Sequence, residues 1–205
     1  LLTCSETVPL VRLTKRVFSS SEKLEASIDL THYGKAEMQK IGVFWSIIDS
    51  QNNRVSSGQL ATTDLPIGRR IGVGKLALDL EKLPAPGTYQ LRLELHDLDI
   101  KSSPFGKRAN SWNFWVYPAN VSSEPSKDVL VTSSWNEAEK KLATGGKVLF
   151  LPRIADLDWA SPPLDNLPIF WNRLMSPQWG RMLGLWCDTN HPALAGFPTE
   201  ANCDW

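Results

Sequence analysis

The chain has 205 residues, enough for one large domain or for two ordinary ones that each bury a core. Its 22 acidic and 22 basic residues cancel, which removes the global field that would draw a chain toward nucleic acid or an anionic membrane. No apolar run approaches the roughly 20 residues that span a bilayer, and Cys4, Cys187 and Cys203 form neither a CxxC pair nor a dense disulfide framework.

From Val8 to about Tyr117 the pattern is that of strands. Leu24, Ala26, Ile28 and Leu30 alternate with Glu25, Ser27, Asp29 and Thr31, the period of two expected of a half-buried strand. Further strand signals follow at 43–48, 55–60, 76–80, 89–95 and 112–117. The polar cluster Asp49 to Asn53 suits a hairpin, and Pro84, Pro86 and Gly87 restrict the backbone before the Tyr89 strand. Short strands separated by turns, with no helical period, predict an immunoglobulin-like antiparallel β-sandwich over residues 1–119. Trp45 shares a strand face with Val43 and Ile47 and is expected to plug the core rather than meet a ligand. His32 and His96, at strand ends, call for no special role.

Pro118 to Lys127 is rich in Ser, Asn, Glu and Pro and reads as a surface connection between domains. Val129 to Val131 then gives a short buried-strand signal. Ser134 and Glu137 form a capping box that predicts a helix from Trp135, with Ala138 and Leu142 at helical spacing. Gly145 and Gly146 supply the stop, and Lys147 to Leu151 is a second strand. Strand, helix, strand favours a parallel pair with a right-handed crossover, so residues 120–205 are predicted to be a small, incomplete α/β segment. Beyond Pro152, prolines at 162, 163, 168 and 177 interrupt every candidate element, leaving short helices as the expectation at 169–174 and 179–183. Without an initial Met, and with no polar taper before Trp205, the chain is expected to be a piece of a longer protein, truncated at its C-terminal end.

Two stretches carry a resemblance, "CSETVPLVRLTKRVF" from Cys4 to Phe18 and the more distinctive "HPALAGFPTEANCDW" from His191 to Trp205, with "NSWNFWVYPA" from Asn110 to Ala119 as the end of the sandwich between them. Together they resemble the C-terminal region of bacterial glycoside hydrolase family 2 proteins of the β-galactosidase-like kind. The resemblance implies a parent whose jelly roll, immunoglobulin-like domain and catalytic (β/α)8 barrel come earlier in the chain. It also implies that the α/β segment is a degenerate relative of the class I glutamine-amidotransferase domain. Retaining hydrolysis needs two carboxyl groups about 5 to 5.5 Å apart, held on barrel strand ends. This chain has no barrel, so no catalytic residue of the family maps onto it.

The remaining chemistry is thin. Cys187 and His191, four apart, could pair as thiol and base, but no nucleophile-elbow glycines flank the cysteine. Cys187, His191, Cys203 and Asp204 lack the spacing of a zinc site, and a free thiol is favoured over a Cys187–Cys203 disulfide. Glu200 and Asp204 are better explained by capping or ion pairing than by acid–base work. No catalytic residue, metal or cofactor is therefore predicted. Nine tryptophans are many for this length, and such rings stack on sugars as well as filling cores. Trp159, Trp171, Trp179 and Trp186, in Pro-rich surroundings, are the candidate carbohydrate contacts. The leading expectation is a non-catalytic accessory scaffold of an exported, periplasmic or extracellular bacterial hydrolase acting on plant or host glycans. Its partners would be the parent's barrel and other domains, with self-association in addition. The alternative is a carbohydrate-binding module with a glycan as partner.

Overall fold

The computed structural model describes residues 5–98, 108–122, 124, 126–157 and 185–203. The chain is mainly β and divides into two units: residues up to Asn120 together with Asn190–Thr199, and Val121–Thr189 together with Glu200–Trp205. The sequence had grouped 190–199 with the second segment, whereas its contacts are with the first.

The first unit is a two-sheet sandwich of eight described strands: β1 (Thr7–Leu13), β2 (Val17–Ser19), β3 (Lys23–His32), β4 (Met38–Asp49), β5 (Arg54–Leu65), β6 (Gly68–Asp79), β7 (Gly87–Asp97) and β8 (Arg108–Tyr117). One sheet has the order β1-β3-β6 and the other β2-β8-β7-β4-β5. All pairings are antiparallel except β2 with β8. The chain leaves β1 in one sheet and enters the other as β2 within a few residues, running in the direction of β8. That crossing makes the second sheet mixed where a purely antiparallel one was expected.

Leu24, Ala26, Ile28 and Leu30 are buried, as their alternation requires. The first three pack with Ile47, Leu91, Leu93, Phe114 and Val116 from the five-stranded sheet, and Leu30 joins Ile41, Val43, Leu65 and Leu95 in a smaller cluster that continues the core. Trp45 packs against the larger cluster but is only partly buried. Gly58 lies opposite it on β5, an edge strand, and a Cβ there would come within 3.0 Å of the indole. Buried His32 is held at both ring nitrogens, 2.8 Å from the Thr7 hydroxyl and 2.8 Å from the Ala36 carbonyl. Tyr89 donates its hydroxyl to the Pro84 carbonyl, tying the proline turn to the core. Burial, helped by the charge of Asp49, pushes the Tyr89 phenol pKa up.

Strands run longer than the sequence signals, most of all in β6. In its first half, Gly68 to Gly74, only Ile71 and Val73 alternate with glycines and pack on the core, a short signal that the ladder with β3 extends into a strand. Two register shifts interrupt that ladder, and Arg70 beside one of them has φ 55°.

In the second unit, β9 (Val129–Thr132) and β10 (Lys147–Phe150) pair in parallel across α1 (Trp135–Ala143). Ser134 caps α1 by accepting from the Glu137 N–H at 3.4 Å. The Glu137 carboxylate does not close the box directly. It accepts from the Thr132 hydroxyl at 2.6 Å, and that hydroxyl accepts from the Ser134 N–H at 3.0 Å. At the other end Gly145, with φ 73°, donates to the Leu142 carbonyl and Gly146 to that of Lys141, the paired bonds of a Schellman stop. β11 (Leu185–Trp186) and β12 (Asn202–Cys203) form a two-residue antiparallel ladder. No helix among the described residues is long and apolar enough to cross a membrane.

Candidate functional site

Strand alternation sends Val43, Trp45 and Ile47 of β4 to the core and Phe44 and Ser46 to the outer face of the five-stranded sheet. The register sets Glu94 of β7 beside Phe44, and Arg92 beside Ser46. On the other side Gln59 and Ser57 of β5 flank the same pair. Phe44, Ser46, Ser57, Gln59 and Glu94, with Arg54 and His96, line a groove of about 340 Å³. Phe44 leans over Gly42, where a Cβ would meet its ring at 2.7 Å, and stands edge-on to His96 at 4.9 Å.

The polar groups of this groove are unevenly satisfied. Arg92 holds the Glu94 carboxylate at 3.0 Å, and Gln59 donates to the Thr62 hydroxyl at 2.8 Å. Ser46 is 3% exposed, yet its hydroxyl has no hydrogen-bond partner. The His96 Nε2 is also enclosed without one, its nearest carboxylate oxygen, from Glu94, being 4.0 Å away. Sequence reasoning did not single out this set. The signal available was the polar alternation of Arg92, Glu94 and His96 along β7, which by itself describes any solvated sheet face.

A second hollow, about 630 Å³, lies at the carboxyl ends of β9 and β10, lined by Ser133, Ser134, Trp135, Phe150, Arg153 and Asp156 among others. Arg153 and Asp156 pair with each other at 3.0 Å, and Trp135 meets Phe150 edge-on at 5.5 Å. The pairing lowers the Asp156 carboxyl pKa and raises that of Arg153.

Of the tryptophans singled out as carbohydrate contacts, Trp159, Trp171 and Trp179 lie outside the described residues, as do the helices expected at 169–174 and 179–183. Trp186 is 79% exposed on β11. Cys187 is a free, half-buried thiol whose backbone N–H donates to the Ala201 carbonyl. His191 accepts from the Ala193 N–H at 3.1 Å, capping a short 3-10 turn over Pro192–Leu194. Among the described residues no group of three His, Cys, Asp or Glu side chains is placed to hold a metal ion. Asp204 falls outside them.

A family model described as a domain of unknown function (DUF8488) matches residues 22–118, and a second of the same description (DUF8487) matches 130–205. No curated protein matches the chain. Among solved structures, the β-glucuronidase of Parabacteroides merdae is 18% identical with a TM-score of 0.36, over 54% of this chain and 14% of its own. The DNA-bound alkylpurine DNA glycosylase AlkC of Pseudomonas fluorescens is 16% identical with a TM-score of 0.41, over 55% and 31%. The CARDB domain of the PF1109 protein from Pyrococcus furiosus is 11% identical, also at 0.41, over 57% and 99%. The chain thus spans about one seventh of the length of the β-glucuronidase it resembles.

Proposed function

We propose that this chain is a non-catalytic accessory segment of an exported, multidomain glycoside hydrolase acting on plant or host glycans, with the sandwich serving as a rigid brace. The observation that carries the reading is where the two resemblance-bearing stretches meet the end of the sandwich. The opening stretch supplies β1 and β2, one to each sheet, and β2 pairs with Trp115, Val116 and Tyr117 of the middle stretch. The closing stretch brings Phe197 onto the Tyr117 ring, stacked at 5.2 Å, and the Pro198 carbonyl to the Tyr117 hydroxyl at 2.8 Å. Phe18, Trp115 and Val116 are buried. Residues of all three stretches therefore serve packing, which suits a brace better than a reactive site.

The test expresses the complete open reading frame and this chain separately and assays both on chromogenic galactosides and glucosides. Turnover by the first and none by the second is expected. Turnover by this chain alone, lost on changing one of its carboxylates, would overturn the reading, as would a complete product without glycosidase activity.

A further inference from the structure

We infer that the groove on the outer face of the five-stranded sheet is a binding site for a neutral sugar ring, with Ser46, Glu94 and His96 as its polar contacts and Phe44 as its apolar wall. The inference goes beyond the accessory reading and does not depend on it. It starts from two polar atoms that the fold encloses and leaves without partners, the Ser46 hydroxyl and the His96 Nε2. Such atoms are costly unless something bonds them, about 1–3 kcal/mol each when removed from water. Both belong to residues lining one groove, which makes a shared ligand the economical partner.

The kind of ligand follows from the lining. Glu94 and His96 stand 4.0 Å apart, too far for a direct hydrogen bond. One hydroxyl oxygen about 2.8 Å from each would bridge them, donating to the carboxylate while the imidazole takes its other bond. The Ser46 hydroxyl can donate and accept, and a second ligand hydroxyl answers both capacities. With the Glu94 carboxylate and the Arg54 guanidinium both in the lining, the groove has no net charge to favour an ion, and an apolar ligand would leave the same atoms unpaired. Phe44, drawn over Gly42, offers the ring against which sugar C–H groups pack. The volume, about 340 Å³, lies at the small end of the roughly 300–1,000 Å³ found for small-molecule sites. Arg54, Ser57 and Gln59 at the rim are exposed, so the groove opens by rotamer changes without disturbing the core.

The test is a titration of the whole chain with methyl glucoside, methyl galactoside and methyl mannoside, followed by backbone amide NMR and repeated with Ser46→Ala and Phe44→Leu. Amides of residues 44–46, 57–59 and 94–96 are expected to shift with at least one glycoside. Ser46→Ala should weaken that binding by about fivefold, the equivalent of one hydrogen bond, and leave the thermal midpoint unchanged or higher because it removes an unpartnered hydroxyl. Phe44→Leu should weaken binding with the fold retained. The inference is overturned if no glycoside shifts these amides at tens of millimolar, or if the shifts centre on Trp186. It is equally overturned if phosphate or acetate binds more tightly than the glycosides, or if Ser46→Ala leaves affinity untouched or lowers the thermal midpoint.

Discussion

Phe114 has no exposed surface, meets Phe18 edge-on at 6.1 Å and stacks on Tyr89 at 5.6 Å. Removing such a ring leaves a cavity that its neighbours cannot fill, so Phe114→Ala should cost about 3–5 kcal/mol in urea unfolding. Trp45→Ala should cost less, although the side chain removed is larger, because the indole is only partly buried. Equal losses would contradict this ordering. The sequence pointed to Trp45 as the plug from its size and strand face. Strand order decides otherwise: β5, on one side of Trp45, is an edge strand that offers only Gly58, whereas Phe114 sits between β2 and β7. Order in a sheet is a long-range property, which is why the core face was legible and the depth along it was not. Ser46 is illegible for the same reason, since its enclosure depends on chains from two other strands.

At the scale of elements, the strand, helix, strand unit was legible because its signals are local: a capping hydroxyl, a paired glycine stop and two short apolar runs. What spacing did not reveal is how the two strands are clipped at their starts. Lys147 opens β10 and bonds Asp128, the residue before β9, at 2.6 Å. The Lys147 hydrogen bond, then that of the Ser126 hydroxyl, holds the Asp128 carboxyl at about 2, below its ordinary 3.8, and the same bond raises the Lys147 pKa. Because the folded value is the depressed one, the favourable contribution is present above pH 3.8 and is lost as pH falls through about 2. Both side chains are exposed, so salt should screen the effect. A carboxyl NMR titration should give a midpoint near 2 that climbs with ionic strength or on Lys147→Met. A midpoint at the ordinary value in low salt would show that the clip does not persist in solution. The first half of β6 was illegible for the opposite reason to the helix. Gly68, Gly72 and Gly74 carry no strand signal, Ile71 and Val73 between them are too few to mark one, and pairing with β3 completes the strand.

At the scale of the whole molecule, residues 190–199 reinforce a sandwich whose last strand ended at Tyr117. Phe197→Ala removes the ring stacked on Tyr117 and should lower the stability of the sandwich by about 1 kcal/mol, the usual worth of an aromatic pair. Urea unfolding followed through sandwich amides, with Val121→Ala as an exposed control, measures this. An unchanged midpoint for Phe197→Ala would mean that the closing stretch does not hold Tyr117 in solution.

The short crossing from β1 to β2 also sets an order of assembly. β1 finds its partner in β3 almost at once, and β4 finds β5 across a tight turn, whereas β2 must wait roughly a hundred residues for β8. Closing so long a loop adds only modest entropy over a shorter one, but it makes the contact late. On a chain made from its N-terminus, β2 therefore exists before the strand it pairs with. β8 then arrives into a slot between β2 and β7, so the strand synthesised last is the one that locks the sheet.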